Sequence, residues 1–147
     1  MPRQVSFTVY RKAEPQGSKR AFVVPGKNGA KARAVVVDNK QVPMRAYRQD
    51  VRNEAIIALR ASLMNQVGPM AGKHEPVELH IEFMFVRPLS AKNRLYPSVA
   101  PDYDKLARST TDALIGVVYA DDSQVVTAYI TKVYGPQEQV KISATVL

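Results

Sequence analysis

The sequence predicts an α+β fold: a mixed, largely antiparallel sheet with two main helices, in a single domain over residues 1–147. Three observations carry this. Val77 to Arg87 alternates strictly, with Val77, Leu79, Ile81, Phe83 and Phe85 on one side and Glu78, His80 and Glu82 on the other, the period of a half-buried strand. Met44 to Gln66 changes to helical spacing, with Tyr47, Val51, Ala55, Ala58, Leu59 and Leu63 forming one apolar stripe. The element order is strand, hairpin, helix, strand, helix, strand, strand, which suits a sheet with helices on one face. At 147 residues and 46% hydrophobic content, the chain is long enough for one domain with a real core.

In chain order, Val5, Phe7 and Val9 alternate with Ser6 and Thr8, a first half-buried strand. Glu14 to Arg20 reads as a turn, either a plain surface loop or one with Lys19 and Arg20 as candidate DNA contacts. Ala21–Val24 and Ala34–Val37 are short strand-like runs around the turn signal Asn28-Gly29, a basic hairpin or a flexible flap offering Lys27, Lys31 and Arg33 to a phosphate backbone. Pro43 introduces the long helix. Its Arg45, Arg48, Arg52 and Arg60 lie mainly off the apolar stripe, on a face that is either solvated or turned to DNA. Gly68, Pro69, Gly72 and Pro76 break the chain before the alternating strand, where His80 reads as an ordinary half-exposed histidine. Leu89 to Ala100 is a loop carrying Lys92 and Arg94 just ahead of the aspartates, both candidate DNA contacts. At the end, Val125–Tyr134 and Gln139–Val146 read as two strands of a hairpin around Gly135-Pro136.

Charge is distributed unevenly. The chain has a net charge of +8; residues 1–60 hold thirteen Lys/Arg against four Asp/Glu, and residues 61–147 hold eight against nine. A basic front half attracts nucleic acid, although a soluble basic protein has the same balance. With no cysteine there is no disulfide framework, thiolate metal site or cysteine nucleophile. Neither a signal peptide nor a stretch of roughly 20 apolar residues is visible, so a soluble cytoplasmic protein without membrane contact is expected.

Five of the seven aspartates fall between Pro101 and Val126: Asp102, Asp104, Asp112, Asp121 and Asp122. Crowded carboxylates repel one another and raise each other's pKa. A divalent cation between them offsets that repulsion, and Mg²⁺ takes oxygen ligands, commonly one or two carboxylates with waters and phosphate oxygens. Pro101 suits a helix entrance, which places Asp102 and Asp104 at or just before the start of a helix running to Ile115 and stopped by Gly116. Leu106, Thr110, Ala113 and Leu114 form its buried stripe, and Asp104, Arg108 and Asp112 share another face. Each acidic residue also has a plainer reading. Asp102 or Asp104 alone reads as a helix cap, Asp112 as a partner for Arg108, and Asp121-Asp122 as a solvated turn. Their combination is what points to a metal site.

The runs P-D-x-D-K-L-x-R, D-A-L-x-G and D-D-S-Q-V-V, in that order, resemble the RusA-like Holliday junction resolvases. These are small homodimeric endonucleases, common in phages and prophages, that cut four-way DNA junctions. Looser likeness includes PQGSKR at Pro15–Arg20. The resemblance implies that Asp102, Asp104 and Asp122 are catalytic and bind Mg²⁺, with Mn²⁺ as a possible substitute. Arg108 falls where the family often carries a functional lysine, which exchanges a compact ammonium for a planar fork. Lys105 stands where some members have asparagine and is a candidate phosphate contact. Asp112 and Asp121 match family positions as supporting residues around the site, Asp112 orienting Arg108. The implied activity is metal-dependent junction cleavage by a homodimer. Two alternatives fit the same residues: a non-catalytic DNA-binding recombination-accessory protein, and a nuclease for flaps or other branched nucleic acid.

Overall fold

The computed structural model describes residues 3–17, 19–38 and 41–147, without the side chains of residues 19–22, 36–38 and 41. A four-stranded sheet is built from β1 (Gln4–Val9), β4 (Val77–Val86), β5 (Val125–Gly135) and β6 (Gln139–Val146), in the order β1-β6-β4-β5. β6 runs antiparallel to both β1 and β4, and β5 runs parallel to β4. β2 (Lys19–Val24) and β3 (Arg33–Asp38) pair antiparallel as a separate ribbon. Its turn holds Asn28 and Gly29 at φ 55° and 79°, the left-handed backbone that Asn-Gly tolerates best. The fold is the α+β arrangement with a mixed, mostly antiparallel sheet and two helices that the sequence predicts.

The terminal hairpin is not formed. β5 and β6 are consecutive, yet β4 lies between them. The short connection at 136–138 passes over the end of β4, where the Glu138 carboxylate accepts the Val86 N–H at 3.2 Å. The reason lies in burial. Val77, Leu79, Ile81, Phe83 and Phe85 are all buried, so β4 needs a neighbour on each side, whereas β5 is largely half-buried or exposed and serves as an edge.

Helix α1 (Gln41–Ser62) begins and ends slightly earlier than its sequence pattern. Past Ser62, Leu63 still packs against the core, but Met64 and Val67 are turned to solvent. Tyr47, Val51, Ala55 and Leu59 are buried against Val5, Leu79, Ile81 and Ile142 of the sheet and Leu106 and Leu114 of the second helix, α2 (Tyr103–Leu114). Burying each such side chain contributes about 1.5–3 kcal/mol relative to exposure. Two of the four α1 arginines point inward. Arg52 donates to the Ile115 carbonyl at 2.7 Å, a cation at the carboxyl end of α2, and Arg48 bonds Asp112. Thr110 spends its hydroxyl proton on the Leu106 carbonyl at 2.8 Å, so Tyr47 donates to Thr110, also at 2.8 Å. His80 lies on the outer face of the sheet, against Glu78 at 2.9 Å and the Tyr129 ring at 4.5 Å. No helix among the described residues is long and apolar enough to cross a membrane.

Candidate active site

Asp102 is the N-cap of α2, with an extended backbone at φ −67° and ψ 141°. An N-cap aspartate ordinarily spends its carboxylate on a backbone N–H of the first turn. Asp102 makes no such bond. Its side chain is 61% exposed, with Lys105 Nζ 3.9 Å away. Asp104 sits in the first turn, exposed, and makes no hydrogen bond or ion pair among the described residues. The two carboxylates line one open groove together with Ser98, Val99 and Lys132. On the other side of Asp102 a second groove runs along Lys12, Gln16, Gly17 and Lys105. Gln16 donates its backbone N–H to the Lys105 carbonyl at 2.9 Å, and Ser109 Oγ reaches the Glu14 carbonyl at 2.6 Å, so this segment is laid along α2.

Lys132 comes from β5. Its ammonium donates to the carbonyls of Val99 and Pro101 at 2.7 and 2.8 Å, fixing the loop that leads into Asp102.

Asp121 and Asp122 lie on a short 3-10 turn, Asp122–Gln124. The Asp121 carboxylate accepts the Ser123 N–H at 2.8 Å, and hydrogen bonds from Ser123 hold its carboxyl below the usual range. Gln124, buried, accepts the N–H groups of Ala120 and Asp121 at 2.9 and 3.1 Å and donates to the carbonyls of Gly72 and Glu75 at 2.8 and 3.0 Å. Tyr119, also buried, donates to the Thr111 carbonyl of α2 at 2.7 Å. Burial pushes the Tyr119 phenol pKa up, and the charges of Asp122 and then Asp112 push it the same way. Asp122 and Asp112 therefore both stand near Tyr119, and the turn lies against the second half of α2.

Asp102 and Asp104 are thus brought together, while Asp122 is exposed and lines neither groove. Among the described residues no group of three or more acidic or histidine side chains is ready-made for a metal ion. Asp112 pairs with Arg48 at 2.9 Å instead of with Arg108, which is exposed and makes no ion pair among the described residues.

A family model for the endodeoxyribonuclease RusA matches residues 13–145. This chain belongs to the RusA family. It is also 27% identical, over 149 aligned positions covering 94% of this chain and 93% of the relative, to a Bacillus subtilis (strain 168) protein named "Uncharacterized protein YqaN". RusA proteins are endodeoxyribonucleases, so nuclease activity comes with membership of the family.

The remaining expected contacts of this RusA chain are spread over its surface. Lys27, Lys31 and Arg33 are exposed on the β2–β3 ribbon. Lys92 is exposed, and Arg94 donates to the Tyr134 hydroxyl at 3.0 Å. Lys19 and Arg20 fall on β2, with side chains outside those described. The donors at the head of α2 suit a hard divalent cation: two carboxylates open to water, for an ion that completes its shell with water and phosphate oxygens. Lys132, Gln124 and Tyr119 escaped the sequence reading. Only Gln124 had a local signal, the capping-box spacing of Asp121 and Gln124.

Proposed function

We propose that this protein is a Mg²⁺-dependent, structure-selective endonuclease that resolves four-way DNA junctions by paired nicks within a homodimer. The observation that carries the reading is Asp102, an N-cap carboxylate that does not cap and shares an open groove with Asp104 and a lysine. In this reading Asp102 and Asp104 hold the ion; Asp122, which lines neither of their grooves in this structure, is the third carboxylate that the family resemblance implies, on the turn fixed by Gln124 and Tyr119. Mn²⁺ suits the same donors. A bound ion supplies an acidified water and neutralises charge on the phosphate.

The chain's own side chains do the rest. Arg108, one turn along α2 from Asp104, offers a planar fork of donors to the phosphate as charge builds on it. Lys132 places a cation in the groove and holds the 99–101 loop in position. Asp121 holds the Asp122 turn, and Asp112 locks α2 to α1 through Arg48. Lys19, Arg20, Lys27, Lys31, Arg33, Lys92, Arg94 and Lys105 supply the backbone contacts to DNA. One site cuts one strand, so a two-fold dimer matches a nearly symmetric junction. The setting is the cytoplasm of a bacterium or of a phage-infected cell.

The test is a nicking assay on a four-way junction, a flap and a linear duplex, with and without Mg²⁺. Symmetric nicks in the junction that require Mg²⁺ are expected. Junction binding without nicking under any metal would replace this reading with an accessory DNA-binding protein. Preference for the flap would move the substrate to other branched DNA.

A further inference from the structure

Next to the carboxylate groove lies a half-enclosed cavity of about 320 Å³. Three cations line it, Lys12, Arg94 and Lys132, against one carboxylate, Glu138. Its remaining walls are apolar, chiefly Phe85, Pro97 and Val99. Val99, Ala100 and Lys132 also line the groove of Asp102 and Asp104, so the two spaces share a wall.

The cations are held in place. Arg94 donates Nε and Nη2 to the Tyr134 hydroxyl at 3.0 and 2.9 Å, and Lys132 donates to two backbone carbonyls. A guanidinium has five N–H donors and an ammonium three, so both keep donors for a ligand. The lining carries more positive than negative charge beside an apolar wall that includes the Phe85 ring. That combination fits a phosphate joined to an aromatic ring system, and the volume is at the small end for ligand pockets.

We propose that this cavity receives one unstacked nucleotide of the DNA strand, next to the phosphate that faces Asp102 and Asp104. Lys12, Arg94 and Lys132 hold its phosphate, and Phe85 and Pro97 cover its base. The proposal rests on the nuclease reading and adds a source of selectivity to it. A base stacked in continuous duplex must leave the helix to enter, at a cost of a few kcal/mol, whereas a base at a branch point is already loosened. The cavity therefore favours branched over linear DNA without reading sequence.

The experiment is photocrosslinking of the full chain to four-way junctions carrying 4-thiothymidine at one position at a time around the crossover, in EDTA, with the linked residue mapped by mass spectrometry. Crosslinks from one or two positions beside the cut to Phe85, Pro97 or Tyr134, and none from linear duplex, are expected. A junction that is bound, and is nicked when Mg²⁺ is added, but crosslinks only elsewhere overturns the cavity and leaves the nuclease reading intact. A protein that binds no junction overturns both. In parallel, Val86→Trp narrows the cavity from a half-exposed position and should lower the junction-to-duplex affinity ratio at least tenfold. Lys12→Gln, at an exposed side chain, should lower the same ratio at least threefold. Folded variants with an unchanged ratio would also overturn the proposal.

Discussion

The Tyr119 hydroxyl donates to the Thr111 carbonyl at 2.7 Å, and this bond ties the turn carrying Asp122 to the helix that begins at Asp102. Tyr119 is fully buried and the bond is partly so, and its loss leaves the carbonyl without that partner. The position of Asp122 relative to α2 thus depends on a residue with no chemistry of its own.

Tyr119→Phe is expected to lower stability by about 1 kcal/mol, the usual net worth of one buried hydrogen bond. Nicking should fall further than stability accounts for, with junction affinity held. Urea unfolding and single-turnover nicking on the same preparation check this. Full nicking by a destabilised variant would remove Tyr119 from the support of the site.

Alkaline pH should expose the buried phenols. Burial raises the pKa of both Tyr47 and Tyr119 above the ordinary value near 10. The unfolded chain still ionises near that value, so the contribution is complete below about pH 10. As pH rises beyond it, the unfolded chain releases protons that the folded chain keeps, and stability falls by at most about 1.4 kcal/mol per pH unit for each phenol. Urea midpoints at pH 9, 10 and 11 should hold and then drop, and Tyr47→Phe or Tyr119→Phe should flatten the drop. A midpoint constant to pH 11 would contradict this.

Gln124→Ala is expected to be the most damaging change near the site that removes no charge. Gln124 accepts two N–H groups and donates to two carbonyls 49 and 52 residues earlier in the chain. Each buried group left unpaired costs about 1–3 kcal/mol, and water can reach some of them, so a loss of about 3 kcal/mol is expected from equilibrium unfolding. A loss below about 1 kcal/mol would show that the turn is held by other means.

What the sequence revealed follows the range of the interaction. The buried side of β4 was legible because Val77 to Phe85 alternates within one strand, and α2 because Pro101, the apolar stripe and Gly116 are local. The order of strands was not legible. Gly135-Pro136 marks a chain reversal, but a reversal does not say whether the next strand pairs with the last or steps past a neighbour. Asp112 shows the same limit: Arg108 is four residues away along the helix, yet the ion pair is made by Arg48, 64 residues earlier, because α1 packs on α2. Asp102 and Asp104 were legible as a pair through their spacing at a helix entrance. Lys132, a single lysine in a strand, had no local pattern to distinguish it.

Asp102→Asn and Asp104→Asn separate a catalytic role from a structural one. Asp102 makes no capping bond and is mostly exposed, so asparagine there should leave stability within about 0.5 kcal/mol, and relief of repulsion with Asp104 acts in its favour. Asp104 lies in the first turn of α2, where a negative charge near the helix dipole contributes about 0.3–1 kcal/mol, so Asp104→Asn should lose about that much. Cleavage should respond far more strongly. Residues that merely support a metal ligand cost about 10–100-fold when removed, so replacing a ligand itself should cost more than about 100-fold. Junction binding should hold or tighten, because each variant removes a negative charge from a surface that meets phosphates. Thermal unfolding, gel-shift affinity and Mg²⁺-dependent nicking measured side by side give the answer. Near-normal nicking by Asp102→Asn would move the chemistry away from the head of α2, whatever the effect on stability.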